Sequence, residues 1–203
     1  MPADANKKLQ NTFLKDLRAR HPRLRDAIPA DVKITAMYRG ERHDFRSKGD
    51  LLLAGLRLAW VSDAFLAHLL YRVKARLQGL GVPIIPRIAH HLAIIVGQVA
   101  IGDPVVMASG VYLVHGQVVI DGIVEIGPEV VISPFTTIGL RAGDFNGPKL
   151  ERGVMVGTGA RLIGDIRIGA GATIGANAVV VSDVEPGTTV VGVPAKALPR
   201  NTP

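Results

Sequence analysis

Beyond His91 the sequence contains a single histidine, His115, so the C-terminal half offers one imidazole for acid–base work near neutral pH. It stands in Tyr112-Leu113-Val114-His115-Gly116, in a slot where the surrounding sequence mostly places Gly, Ser or Asp. The chain has no cysteine, which excludes disulfides, thiolate metal sites and a cysteine nucleophile. A histidine zinc centre needs several converging imidazoles, and His90 and His91 precede the region of His115, so no metal is expected. A second polar group lies in Arg141, Asp144 and Asn146. There Arg141 suits a carboxylate or phosphate, and Asp144 suits a hydroxyl or an amine. The plain alternative for that stretch is a loosened turn carrying solvated polar groups.

What must position these residues is a repeat. From Val96 to Val180, fifteen positions occur in steps of six, and twelve hold Val, Ile or Leu; the exceptions are Gly102, Ala108 and Asp144. Neither a helix nor a flat strand has that period. Three hexads form one turn of a triangular prism built from short parallel strands, so a mainly β fold, a parallel β-helix of five coils, is predicted. The residue after each aliphatic one is commonly Gly or Ser, which suits a tight corner. Val106, Val118, Val124, Val130, Thr136, Ala160, Ala172 and Ala178, four positions on, are expected inside. Counting by eighteens stacks Gly97, His115, Ser133 and Glu151 in one corner column, with Ser133 placed to help fix the imidazole tautomer. The twelve-residue step from Ile138 to Leu150 keeps this count in register.

The remainder reads as helical. Lys7 to Arg20 has amphipathic spacing, Leu51 to Leu80 suits one or two helices, and Ile84 to Ile95 suits another; Pro29 to Gly49 has no clear pattern. The expected divisions are a helical region over 1–92, the β-helix over 93–190 and a tail over 191–203. Residues 1–91 carry seventeen Lys/Arg against eight Asp/Glu, and residues 92–203 carry seven against nine. Such a basic half could meet nucleic acid or an anionic membrane. Its arginines are scattered, without dense clusters or interleaved aromatics, so solvated helix faces are expected and no nucleic-acid partner. No stretch reads as a membrane span or signal peptide, and a cytoplasmic setting is expected.

Three segments, Gly153 to Ala160, Ile168 to Asn177 and Val190-Val-Gly-Val-Pro-Ala-Lys196, closely resemble the serine O-acetyltransferases. These are hexapeptide-repeat acyltransferases, and the resemblance covers about residues 65–200. It implies a left-handed β-helix, acetyl-CoA as co-substrate, and a homotrimer or a dimer of trimers. It implies His115 as general base on the acceptor hydroxyl. It also implies cofactor contacts at Gly157, Thr158, Gly175 and Ala176, with Lys196 near a CoA phosphate. Arg141 and Asp144 lie where the family extends a loop over its cleft. The chain departs from the family in three places: Val114 stands for the usual Asp, Ala100 for another Asp, and Gly147-Pro148-Lys149 lacks a second histidine. Serine is the first acceptor implied and a sugar or polysaccharide precursor the second. A non-catalytic prism organising a complex is the reading from another class.

Overall fold

The computed structural model describes residues 16–17 and 19–199. Helices α1 (Leu24–Tyr38), α2 (Lys48–Val61), α3 (Asp63–Gly79) and α4 (Ile85–Gly97) precede a prism of short strands. Face A stacks β1 (Val99–Ile101), β4 (Val118–Ile120), β7 (Thr137–Gly139), β10 (Arg161–Ile163) and β13 (Val179–Val180). Face B stacks β2 (Val106–Met107), β5 (Ile123–Ile126), β8 (Asn146–Leu150) and β11 (Arg167–Ile168). Face C stacks β3 (Tyr112–Leu113), β6 (Val131–Ile132), β9 (Met155–Val156), β12 (Thr173–Ile174) and β14 (Thr189–Val191). The final strand, β15 (Lys196–Ala197), folds back antiparallel on β14. All other pairings are parallel, so the predicted β-helix of five coils is the fold.

The interior has two rows. One runs Ile101, Met107, Leu113, Ile120, Ile126, Ile132, Ile138, Leu150, Val156, Leu162, Ile168, Ile174, Val180, all buried. The other holds Val99, Val105, Val111, Val118, Val124, Val130, Thr136, Val154, Ala160, Ala172 and Ala178, also buried. Branched aliphatic side chains from three faces fill a narrow prism with few rings, and burying them supplies the driving force for stacking.

The strict count of six fails twice. Leu113 pairs with Ile132, and Ile120 with Ile138, so the corner holding His115 is one residue longer than the corner above it. The first coil is therefore displaced by one: its interior residues are Ile101, Met107 and Leu113, while Gly102, Ala108 and Val114 sit on corners. Val105, and not Val106, belongs to the second interior row. In the second departure, Ile120 pairs with Ile138 but Ile126 pairs with Leu150, so one extra hexad, residues 140–145, loops out between β7 and β8. Asp144 belongs to that loop and not to a coil.

The helices act as the lid of the first coil. An end coil presents strand carbonyls with no next coil to bond them, and a bare strand edge invites unwanted pairing. Helix α3 supplies the donors. Lys74 Nζ donates to Ile101 O at 2.6 Å, Tyr71 Oη to Val105 O at 2.9 Å, and Arg72 to Met107 O at 2.7 Å and Ala108 O at 2.6 Å. Arg72 is held by Asp31 of α1 through two bonds of 2.8 and 3.1 Å, and Asp31 also accepts from Gly110 N at 2.8 Å. Asp31, Arg72, Lys74 and His68 are all buried. His68 Nε2 and His21 Nδ1 are buried without a hydrogen-bond partner. Burial lowers the pKa of each ring to about 4.

The helix expected over 7–20 lies mostly outside the described residues. Leu51 to Leu80 divides into α2 and α3, which meet at Ser62 with a bend of 114°. Ser62 caps α3 by accepting from Phe65 N. The unassigned stretch from Pro29 holds the C-terminal part of α1, which begins at Leu24 and has Pro29 inside it. Packing of Ala27, Val32, Thr35 and Ala36 outweighs the proline's missing donor.

Candidate active site

Corner segments 114–117, 133–135, 157–159 and 175–177 stack on the edge between faces C and A, because Leu113, Ile132, Val156 and Ile174 are aligned. At about 4.8 Å per strand, His115 lies roughly 10 Å along the axis from Thr158 and roughly 14 Å from Ala176. The expected base and the four expected cofactor positions thus share one edge. His115 is exposed, and its ring makes no hydrogen bond among the described residues.

The corner column differs from the one expected by eighteens. Ser133 lies beside Val114, Pro134 is level with His115, and no hydrogen bond joins Ser133 to the ring. Glu151 is on another edge, between faces B and C, where it pairs with Arg167. Its bonds to Arg167 and to Ala170 N–H lower its pKa. Asp121 is on the third edge, over Gly102, and does not reach His115.

The long corner around His115 is fitted to the end of α4. Gly116 rests on the carbonyl of Gly97, where a Cβ has no room, and Gln117 N donates to the same oxygen at 3.2 Å. Gly97 in turn lies against Ala67 and the Asp63 carbonyl of α3. The imidazole is therefore mounted on the helical lid as well as on the coil.

Higher on the edge, glycine serves close approach. A Cβ on Gly157 would come within 2.7 Å of Ile174 O and 2.8 Å of Ala176 N. The left-handed turn falls two residues later, in the column Gln117, Phe135, Gly159 and Asn177, with φ of 63°, 61°, 76° and 57°. The equivalent column between faces B and C reads Gly110, Glu129, Gly153, Gly171 and Gly187. Most corners there use glycine, whereas the His115 edge holds Gln, Phe and Asn in that conformation, at a cost of order 1–3 kcal/mol for the bulky residues. Coil-to-coil bonds run from Gly159 N to Pro134 O and from Asn177 N to Thr158 O, at 3.0 and 2.8 Å. Among the described residues the N–H groups of Thr158 and Ala176 have no such partner, and both residues are exposed. They can donate to a bound carbonyl.

Gln117, Phe135 and Arg161 are site residues that sequence reasoning missed. Arg161 Nη1 donates to Gly159 O at 3.0 Å and to Phe135 O, tying two coils together at this edge. The sequence carried no signal for them, because no glycine marks the left-handed slots of Gln117 and Phe135.

The other expected contacts are not gathered here by one chain. Arg141 and Asp144 sit on the 140–145 loop, on the edge between faces A and B. Asp144 N donates to Arg141 O at 3.0 Å, and Asp144 Oδ1 accepts from Asn146 N at 2.9 Å. The Arg141 guanidinium lies along Gly164. Lys196 is exposed on β15, opposite Val191, which itself rests on Gly175. It stands beyond the Ala176 end of the edge. Among the described residues no group of three His, Asp or Glu could hold a metal ion.

Residues 147–182 match the family described as bacterial transferase hexapeptide (six repeats). The chain is 34% identical over 151 residues to a serine acetyltransferase of Synechococcus elongatus, covering 72% of this chain and 62% of that protein. It is 37% identical over 139 residues to the serine acetyltransferase of Helicobacter pylori strain J99, covering 66% of this chain and 81% of that one. The chain belongs to the serine acetyltransferase family. It spans less than two thirds of the Synechococcus relative's length. Among solved members of the family, the Neisseria gonorrhoeae serine acetyltransferase superposes with a TM-score of 0.72 at 30% identity, over 89% of this chain and 68% of that one. A structure described as a serine acetyltransferase complex with CoA gives a TM-score of 0.68 at 26% identity, over 84% of this chain and 68% of that one.

Proposed function

We propose that this protein transfers an acetyl group from acetyl-CoA to the hydroxyl of a small acceptor, with serine the first candidate. The observation that carries this reading is the alignment of His115 with the glycine-floored corners of Thr158 and Ala176 on one open edge. The pantetheine arm lies along Gly157, Thr158, Gly175 and Ala176, with Lys196 near the phosphate end. His115 takes the proton from the acceptor hydroxyl, whose oxygen attacks the thioester carbonyl. The tetrahedral intermediate collapses with cleavage of the C–S bond, and the imidazolium returns its proton to the departing thiolate. Backbone N–H groups at the edge hold the oxyanion. Relatives solved with serine and with CoA support both substrates.

One prism leaves this edge open, and its Arg141 loop points from a different edge. In the homotrimer proposed here, a second copy about a threefold axis would supply the wall that one prism lacks at this edge. A sugar acceptor is the second reading, and one observation favours it: the corner segments flanking His115 contain no carboxylate, only Val114, Gln117, Ser133 and Phe135 among their larger side chains.

The test is acetyl-CoA thiol release with serine, homoserine and sugars, for the wild type and His115→Ala, with the native mass determined in parallel. Acceptor-dependent release that His115→Ala abolishes is expected, from a trimer or a multiple of one. Release by no acceptor, or an unaffected variant, overturns the mechanism.

A further inference from the structure

Helix α2 is apolar on the side that faces away from the protein. Leu58 is its fully buried residue, and α2 packs on α1 and α3. At about 100° per residue, Leu52, Leu53, Leu56 and Trp60 fall in an arc of roughly 100° opposite Leu58. These side chains are 61–88% exposed, and Trp60 is the most exposed of them. A helix apolar on both sides is ordinarily covered on both. The exposed stripe on α4 (Ile85, Ile88, Leu92, Ile95) has a different position, since α4 ends beneath the His115 corner where a second copy is proposed.

We infer that the outer face of α2 is a docking surface for an anionic lipid bilayer. The charge of the molecule selects this occupant. Residues 1–91 carry a surplus of nine positive charges, seventeen less eight, while residues 92–203 carry a deficit of two, seven less nine. A second copy pairing through the same face about a twofold axis would bring two basic halves together. An anionic surface attracts that half. Lys48 opens the helix, a position from which a long basic side chain reaches headgroups while its stem covers apolar surface; Arg57, which borders the stripe, is paired with Glu41. Trp60 is suited to the headgroup boundary, where tryptophan is enriched. Among the described residues no single helix is long and apolar enough to cross a membrane; α2 and α3 together are, but they bend by 114° and α3 is largely buried, so α2 is placed on the membrane surface.

Trp60 is the chain's one tryptophan, so its fluorescence reports on this face alone. The full-length protein is titrated with vesicles of phosphatidylcholine, with and without phosphatidylglycerol, and binding is checked by flotation. The expected result is a blue shift and flotation with anionic vesicles, about ten-fold weaker on neutral ones and reversed by salt. Leu56→Glu should abolish binding while leaving thiol release with acetyl-CoA and the far-ultraviolet circular dichroism unchanged; Lys48→Glu should weaken it. Three results overturn the inference. One is the absence of a shift with any vesicle. A second is a blue shift that grows with protein concentration without vesicles, which assigns the face to a second copy. The third is emission already blue at low concentration, which assigns it to chain outside the described residues.

Discussion

Two regions bordering the first coil use charge in opposite ways. At the junction with the helices, Asp31, Arg72, Lys74 and His68 are crowded together and buried; Arg72 and Lys74 cap carbonyls, Asp31 holds Arg72, and His68 Nε2 has no hydrogen-bond partner. At the His115 edge, the corner residues carry no carboxylate, and His115 is exposed there among the uncharged side chains Gln117, Phe135, Thr158 and Asn177. A search for the densest cluster of titratable side chains would settle on the junction, whose histidines have strongly lowered pKa values for a structural reason. Burial is the main cause, since a ring that cannot reach water resists protonation, and the neighbouring Arg72 cation lowers both further. The lesson is that in a repeat fold the candidate site is marked by an interruption of the repeat and by accessible backbone, not by the concentration of charge.

This contrast can be broken by substitution. The largest effect expected is on catalysis: His115→Ala should lower acetyl transfer by about 10²–10⁴-fold, the usual contribution of a general base, with the unfolding midpoint unchanged. Loss of stability instead would make His115 part of the cap. Arg72→Met should show the reverse. It leaves Asp31 buried and unpaired, and urea denaturation should show about 3–5 kcal/mol lost.

The junction should also respond to acid. His68 has a folded pKa near 4, below its unfolded 6.5, so the unfolded state binds the extra proton between those values. Its contribution is complete above about pH 6.5 and falls as the pH drops toward 4, by on the order of 3 kcal/mol. His68→Gln should flatten that part of the stability profile. A smaller effect, about 1–3 kcal/mol, is expected for Gly157→Ala, whose new methyl meets the Ile174 and Ala176 backbone; weaker acetyl-CoA binding should accompany it. Glu129→Gln, which removes an exposed partner of Arg152 on the opposite edge, should change stability by no more than about 1 kcal/mol and activity not at all.

The repeat was legible because burial enforces it: every sixth residue must face the interior, so the aliphatic row survives in the sequence. Its three exceptions were also informative. Gly102 and Ala108 are not faults in the core but signs that the first coil is out of frame by one, and Asp144 marks the looped-out hexad. A fixed count of eighteen could not show this, because an added corner residue shifts everything before it while Val96 and Val114 still satisfy the pattern. Glu151 was misplaced by the looped-out hexad, which pairs Ile132 with Val156 and puts Leu150 level with Ile126. The left-handed column at the site edge was hidden because Gln117 and Phe135 occupy slots that glycine usually announces. Helix α1 escaped notice because Pro29 argues against a helix that tertiary packing then supports. Arg161 acts through backbone carbonyls, and no pattern of residue types reveals such a partner.

The seat of Gly116 on Gly97 bears on how far this prism can be treated as a separable module. Coils three to five depend only on their neighbours and could be shortened, duplicated or exchanged between solenoids without loss of form. The first coil could not. Its working corner is cast against the end of a helix, so a prism excised from its helices would retain the cofactor track and lose the geometry of the residue meant to act on it.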